Sequence, residues 1–265
     1  MKKFLILFAL IGIVSSCNEY QKAVKSEDVT VKYKAAAKQF EKGKYDKAIR
    51  LFEQIAPSYK GKPDAERLFY MLSVSYYKTK QFYLSGYQFE SFASSYPKSE
   101  KMEEAAFLGA KSFSMLSPVY SLDQSETEKA IDKLQNFIDS FPNSTLLPEA
   151  NKLVKELKNK IEQKVFENAK QYYTISDFKS AQVALTNFID DFPGTTYKED
   201  ALFYKFDAAY KLAINSVPSK MKDRLVVAQT DYLGLVKFKP ETKYKKQIEV
   251  MKTRIETDLK QYSNK

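Results

Sequence analysis

The chain has 265 residues, of which 44% are hydrophobic and 29% are charged, and its formal net charge is +10. It contains no His and a single Cys, which excludes the usual neutral-pH proton shuttle, a Cys/His dyad, a thiolate zinc site and an internal disulfide. Only 7 Gly and 9 Pro occur beside abundant helix formers, and no convincing run of alternating β-branched residues interrupts them. The composition therefore predicts an all-α chain.

The N-terminal residues are organised as a lipoprotein export signal. Two lysines precede the apolar stretch FLILFALIGIV, which is too short to span a bilayer comfortably and is typical of a signal-peptide core. The order Val, Ser, Ser, Cys that follows is that of a bacterial lipobox. We therefore predict a signal peptide over 1–16 and a mature N-terminus at Cys17, which carries more than one acyl chain and so anchors the protein stably.

An ordinary signal peptide with a chance Cys is the alternative to a lipobox, but the only Cys of the chain directly follows the small residues. Asn18 comes next and, by analogy with lipoprotein sorting, favours the outer membrane. The periplasmic face of that membrane is the expected side. Cleavage would remove two of the 43 Lys and Arg residues and leave 33 acids, a net charge of +8. An exported, anchored protein does not normally meet nucleic acid, so the charge suits anionic lipid, acidic partners or simply solvated helix faces.

The segment 17–30 is polar, has no evident apolar period, and is predicted to be a lipidated tether. From Val31 onward the apolar residues recur at helical spacing. A first helix carrying Tyr33 and Phe40, a turn at Gly43 and a second helix predict an αα-hairpin.

Two nearly identical stretches, FIDSFP (137–142) and FIDDFP (188–193), indicate an internal repeat. Each copy belongs to a longer pattern: a small residue, apolar residues four and seven positions later, and then a proline that stops the helix. The small residue allows close approach of two helices, and the apolar residues fill the space between neighbouring hairpins. The four units with this pattern are Ala48, Phe52, Ile55 and Lys60 (in place of proline); Ser85, Phe89, Phe92 and Pro97; Ala130, Leu134, Phe137 and Pro142; and Ala181, Leu185, Phe188 and Pro193.

The pattern resembles the tetratricopeptide repeat, because three of the four units have a further small residue twelve positions upstream: Ala36, Ser73 and Ala169. The usual tryptophan is absent, and the third unit carries an insertion, SPVYSLDQSE (117–126). Since one hairpin cannot bury its own apolar face, we predict a superhelical solenoid of about five tetratricopeptide-like hairpins. The predicted array spans 31–262, divided at approximately 31–60, 64–98, 101–143, 147–194 and 197–262.

The fifth unit is predicted to have one helix over Glu199–Ser216 and a second over about Asp223–Lys237. A closing helix from Thr242 carries four apolar residues on one face and many charges elsewhere, which suits a solvated cap. Those four residues are Ile248, Met251, Ile255 and Leu259.

Tetratricopeptide arrays bind proteins or peptides in a groove lined by the first helix of each pair, and the resemblance implies such a groove here. Its predicted residues are aromatic with basic neighbours, which suits an extended segment with aromatic side chains and a carboxylate. For any one of these aromatic residues, packing between hairpins is the favoured alternative. The groove residues are Tyr33, Phe40, Arg67, Tyr70, Tyr77 and Lys78.

The mature chain also resembles the BamD family, lipoproteins of the machine that folds β-barrels into the outer membrane. The resemblance rests on the lipobox, the third-unit insertion and four segments: 73–78 (SVSYYK), 121–144, 166–195 and 199–213. It implies that the N-terminal groove binds the C-terminal signal of unfolded outer-membrane proteins. It also implies that the C-terminal units and the insertion dock the large, BamA-like barrel component, with Tyr120, Asp123 and Tyr173 as docking residues.

Two other functions are alternatives to the assembly scaffold. A different periplasmic or outer-membrane repeat lipoprotein, which coordinates envelope or cell-division processes, could share the proline stops. An enzyme would need clustered acids in the groove, whereas Asp190-Asp191 and Glu103-Glu104 are predicted at helix ends, where they suit capping and the helix dipole. We predict no catalytic residue, metal, cofactor, nucleic acid or small-molecule substrate.

Overall fold

The computed structural model describes residues 19–263, which form twelve helices and, over that range, no strand. Cys17 and the predicted signal peptide lie outside the described residues. The helices are α1 (19–25), α2 (Val29–Glu41), α3 (Tyr45–Tyr59), α4 (Ala65–Lys78), α5 (Phe82–Ser95), α6 (Met102–Ser114), α7 (Ser125–Ser140), α8 (Leu147–Thr174), α9 (Phe178–Asp191), α10 (Lys198–Ile214), α11 (Pro218–Phe238) and α12 (Lys245–Ser263).

Contacts divide the chain into two compact units. The first contains the residues up to Pro118 and from Asp123 to Leu157, and the second contains residues 119–122 and the residues from Lys158 onward. In the first unit each helix from α2 to α7 packs on the next, and α2 also contacts α4 as α4 contacts α6. In the second unit α9, α10, α11 and α12 pack in sequence, and α10 contacts α12. Contacts between helices two apart are typical of stacked hairpins, and they confirm the tetratricopeptide-like fold class. We keep the five intervals given above as the proposed repeat division.

The small and apolar positions of the repeat pattern, which we call its spacer positions, are buried, as the sequence predicts. The small residue of every unit is fully buried, and each apolar residue four or seven positions later is at most 3% exposed. In the second unit of the repeat the small residue brings α5 close to α6: the Ser85 and Ser112 hydroxyl oxygens are 3.0 Å apart. A Cβ added to the neighbouring Gly86 would lie 2.9 Å from the Phe113 ring, so this contact requires glycine.

The FIDSFP and FIDDFP stretches have the same local structure. The last aromatic residue is the helix C-cap in both, with φ and ψ of −128° and 63° at Phe141 and −125° and 66° at Phe192. Its N–H donates to the carbonyl of Phe137 or Phe188, and the two rings lie 5.2 and 5.4 Å apart. The proline that follows has no N–H to continue the ladder, so the helix ends there.

The first described residues differ from the extended tether predicted over 17–30. Residues 19–25 form α1, in which Tyr20 and Ala23 are buried in the same hydrophobic cluster as the first hairpin, with Val24 packed against it. The Lys47 ammonium lies 5.0 Å from the centre of the Tyr20 ring. The spacing of these apolar residues, i, i+3 and i+4, is a short helical pattern that a polar composition concealed.

Three helices occupy the segments predicted for the fifth unit and the closing helix. Helices α10 and α11 form the hairpin, and α11 begins at Pro218, earlier than predicted, because proline is well suited to the first turn of a helix. Ile248 and Ile255 of α12 are buried against this hairpin, with Met251 and Leu259 partly buried beside them.

Candidate functional site

A pocket of about 460 Å³ opens in the first unit, where the end of α2 and the start of α4 meet the residue before α6. It brings together three of the six predicted groove residues, namely Phe40, Arg67 and Tyr70. The pocket is lined by Phe40, Glu41, Pro63, Glu66, Arg67, Tyr70, Met71, Phe92 and Lys101.

Aromatic rings form the apolar wall of this pocket and are held in place by packing behind them. The Tyr70 ring centre lies 5.6 Å from that of Phe92 and 6.3 Å from that of Phe89, while Phe40 packs edge-on against Tyr45 at 5.6 Å. Phe89 and Phe92 are buried, so the wall packs against the apolar residues that the repeat pattern places four and seven positions after the small residue. A ligand ring would therefore meet a surface that is already ordered, which lowers the entropic cost of binding.

Two cations reach the pocket from different segments, Arg67 from α4 and Lys101 from the position before α6. The Arg67 guanidinium lies 3.7 Å from the Glu41 carboxylate, and about two thirds of each side chain is exposed to solvent. An exposed pair at this distance is worth little, so Arg67 can turn to another carboxylate. The Lys101 ammonium lies 5.5 Å from the centre of the Tyr70 ring and 2.9 Å from Glu104.

The hydroxyl of Tyr70 already makes a hydrogen bond within the protein. Burial raises the pKa of Tyr70, and its hydrogen bond to the Glu104 carboxylate raises it further. Burial also acts to raise the pKa of Glu104, but hydrogen bonds from Lys101 and Tyr70 outweigh it and hold that pKa below its ordinary value. The ring of Tyr70, rather than its hydroxyl, is therefore the part available to a ligand.

The charge of the pocket is more balanced than the sequence predicts. Glu41 and Glu66 line it together with Arg67 and Lys101, so two acids accompany two bases. The Ser99 hydroxyl donates to Glu66 over 2.6 Å, which leaves Glu41 as the acid that faces Arg67. This arrangement suits a ligand with one carboxylate, which can displace Glu41, better than it suits a polyanion.

The other three predicted groove residues do not line this pocket. Tyr33 stacks on Tyr59 at 5.2 Å, and its buried hydroxyl has no hydrogen-bond partner among the described residues. Tyr77 packs edge-on against Phe82 at 5.8 Å, and Lys78 is exposed at the end of α4. Lys101 is the residue that sequence reasoning missed: it precedes α6, and only the contact between α4 and α6 brings it beside Tyr70.

In the second unit Tyr173 belongs to an internal polar network. Its hydroxyl donates to Asp207 over 2.5 Å and accepts from the Lys211 ammonium, which also lies 3.2 Å from Asp207. Burial and the hydrogen bond to Asp207 raise the pKa of Tyr173. Its hydroxyl is thus occupied, and a partner would meet only the half-buried ring.

The other two predicted docking residues lie in the inserted segment. Tyr120 is half-buried and belongs by its contacts to the second unit, where the Lys164 ammonium donates to the Leu122 carbonyl over 2.7 Å. Asp123 belongs to the first unit and accepts from the Ser125 N–H over 2.9 Å, at the start of α7.

The chain matches a model of a known protein family. A family model described as "YfiO: Outer membrane lipoprotein" matches residues 25–225, which is most of the chain. A search of curated proteins found no match. Within the described range, every helix is too short or too polar to cross a bilayer.

Proposed function

Because the chain belongs to the YfiO (BamD) family of outer-membrane lipoproteins, we propose that it is a non-enzymatic, lipid-anchored scaffold of the machine that assembles β-barrels in that membrane. Cys17 is the proposed anchor, and the periplasmic face is the proposed side. The described helices pack as stacked hairpins, an architecture whose exposed faces suit such a scaffold.

The pocket of the first unit is the proposed site for the C-terminal signal of unfolded outer-membrane proteins. The observation that carries this proposal is the convergence of an aromatic wall with two cations, Arg67 and Lys101, in one pocket. An aromatic side chain of the ligand would lie against Phe40 and Tyr70, and its terminal carboxylate would displace Glu41 from Arg67. Lys101 precedes α6, so the positive end of that helix dipole adds to the attraction for a carboxylate.

The proposed ion pair between Arg67 and the ligand's terminal carboxylate is tested by Arg67→Gln. We expect a peptide that ends in an aromatic residue with a free carboxylate to bind this variant about tenfold more weakly than the parent, a loss of about 1.4 kcal/mol. The same peptide with an amidated C-terminus should bind the parent weakly and the variant no worse. Fluorescence anisotropy with the purified chain measures both affinities.

The matched control for Arg67→Gln is Lys78→Gln, because Lys78 is an exposed cation of the same helix that does not line the pocket. It should leave the affinity for the free-acid peptide within about twofold. Equal losses in the two variants would point to a general charge effect and would overturn the pocket assignment.

The scaffold role itself is tested on the lipidated protein in its membrane. We expect a mild-detergent pull-down to recover a large outer-membrane barrel with periplasmic domains, because the family's assembly role requires a lasting complex. Quantitative mass spectrometry of crosslinked and uncrosslinked samples measures the recovery. If no such barrel is enriched even after crosslinking, the assembly role is wrong, whatever the peptide affinity of the pocket.

A further inference from the structure

A groove on the fourth hairpin has no role in the function proposed above. It has a volume of about 610 Å³ and lies between the C-terminal half of α8 and α9. Its apolar lining includes Val165, Ala169, Ala184 and the buried spacer Phe188. At its end the large apolar side chains of Tyr172 and Ile175 are 44% and 62% exposed, which adds accessible apolar surface to the groove.

The repeat pattern shows what occupies the same position elsewhere. Counted from each unit's small residue, the groove positions of α9 correspond to positions of α5 and α7, which also line grooves. In those two hairpins an earlier segment forms a further wall: Lys60, Gly61 and Lys62 in one, and Glu90, Ala93 and Ser94 of helix α5 in the other. Within the second unit, the groove on the fourth hairpin, which we call the α8–α9 groove, is lined by the C-terminal half of α8, by Ile175 just after it, and by α9.

The charge of the α8–α9 groove also differs. The other two grooves include Lys60, Lys62 or Lys133 in their linings, and Lys133 pairs with Glu90 of the wall helix at 2.5 Å. The position equivalent to Lys133 is Ala184, and no Lys or Arg is found among the described residues that line the α8–α9 groove.

The single charged residue of that lining is Asp191, at the last turn of α9 beside the exposed Asp190. Within the described residues neither carboxylate makes a hydrogen bond or an ion pair. The negative end of the α9 dipole lies at the same place, so both the carboxylates and the helix dipole would stabilise a cation there. In a chain with a net charge of +10, this is a local surface that attracts a base.

We propose that the α8–α9 groove binds an amphipathic helix of a partner protein, seated as α5 is seated against the third hairpin. Small and apolar residues of that helix pack on Ala184 and Phe188, and a Lys or Arg in its last turn pairs with Asp190 and Asp191. Alternate helices of stacked hairpins run in the same direction, so the C-terminal end of the bound helix lies at the C-terminal end of α9. The exposed amides of Asn168, Gln171 and Asn187 supply hydrogen bonds at the rim.

The probe is a synthetic amphipathic peptide of about 18 residues, stapled as a helix, with Ala and Leu on one face and Lys in its last turn. Its partner probe has Glu in place of the Lys. We expect the Lys peptide to bind the purified chain at least about threefold more tightly than the Glu peptide. The Ala184→Arg variant should bind the Lys peptide at least about tenfold more weakly, because the new side chain fills the groove. Isothermal titration calorimetry measures the affinities.

Val183→Arg is the matched control, because Val183 is its 59% exposed neighbour on α9 and does not line the groove. It should bind both peptides as the parent does. The double variant Asp190→Asn, Asp191→Asn changes only exposed groups and should remove the preference for the Lys peptide while the apolar binding persists. Circular dichroism and the affinity for the free-acid peptide of the first unit verify that each variant is folded.

Three results would overturn the proposal: no binding of either helix, equal binding by Ala184→Arg and the parent, or a preference for Lys that survives the double Asn variant. Concentration-dependent dimerisation that Ala184→Arg abolishes would assign the groove to a second copy of this chain instead. The free-acid peptide assay is made on the same preparations, so failure of the groove and failure of the first-unit pocket are seen separately.

Discussion

Phe188→Ala should lower the free energy of unfolding by about 3–5 kcal/mol, the range for removing a buried aromatic side chain from a core. Phe188 is 1% exposed and its ring contacts those of Phe166 and Phe192, with centres 5.6 and 5.4 Å away. It shares its hydrophobic cluster with Ala201 of α10, so the lost volume lies where the fourth hairpin meets the fifth. Urea denaturation followed by circular dichroism measures the loss.

Phe137→Ala is the matched variant, because Phe137 holds the same repeat position in the other compact unit and is 3% exposed. Stability in stacked repeats comes mainly from neighbouring hairpins, so hydrogen exchange should accelerate around α8 to α10 in one variant and around α6 to α8 in the other. Phe238→Ala removes a 47% exposed ring and should cost less than about 1 kcal/mol. A cost that small for Phe188→Ala would show that the position does not hold the hairpins together.

The repeat positions could be predicted from sequence because one local rule decides them in every unit. A small residue, two apolar residues and a proline stop have fixed spacing, and burial at those positions follows from helix geometry alone. FIDSFP and FIDDFP could be matched letter by letter, and their caps differ by only a few degrees. Helix α1 escaped prediction because its apolar pattern fills only two turns within a polar segment, and the burial of Tyr20 depends on the first hairpin.

The candidate site was predictable where its residues lie on the first helix of a hairpin, as Phe40 does on α2 and Arg67 and Tyr70 do on α4. Arg67 and Tyr70 are one turn apart on α4, so helical spacing places them on the same side of the pocket. Lys101 and Glu41 come from other segments, and their presence depends on how α2, α4 and α6 pack. A groove predicted from aromatic and basic residues alone therefore lacked Glu41, the acid that the ligand displaces in the proposed function. In that proposal Glu41 makes the pocket selective for a carboxylate strong enough to compete with it.

Packing also separates the predicted aromatic residues into two groups. The rings of Phe40 and Tyr70 line the pocket, while Tyr33 stacks within the first hairpin and Tyr77 packs on α5. All four have helical spacing and similar composition around them, so the sequence alone offers no means of telling a ligand-facing ring from a spacer.

Glu199 of α10 holds the connection between α11 and α12 through three hydrogen bonds. Its carboxylate accepts from the Lys239 ammonium at 2.6 Å, the Thr242 hydroxyl at 2.7 Å and the Lys243 N–H at 2.8 Å. Burial acts to raise its pKa, but these three donors outweigh burial and bring the pKa of Glu199 down from 4.5 to about 2. The first turn of α10 adds the positive end of a helix dipole, which also favours the carboxylate.

Glu199→Gln should therefore destabilise the protein at neutral pH by about 2 kcal/mol, since hydrogen bonds to a charged group are lost and solvent screens part of the ion pair with the half-exposed Lys239. The pKa is lower in the folded than in the unfolded chain, so the contribution is fully present above about pH 4.5 and is lost as the pH falls toward 2. The stability difference between parent and variant should shrink over that window, as measured by urea denaturation at a series of pH values.

Glu241→Gln is the control for this titration, because Glu241 lies in the same connection but its side chain is 83% exposed and, among residues 19–263, forms an ion pair with Lys245 alone. Its effect on the free energy of unfolding should stay below about 0.5 kcal/mol at every pH. A penalty for Glu199→Gln that is the same at pH 7 and near pH 2 would mean that shape, and not charge, stabilises the connection. A penalty confined to the higher pH would mean that the α11–α12 connection is held by the Glu199 charge, and that the closing helix loosens first in acid.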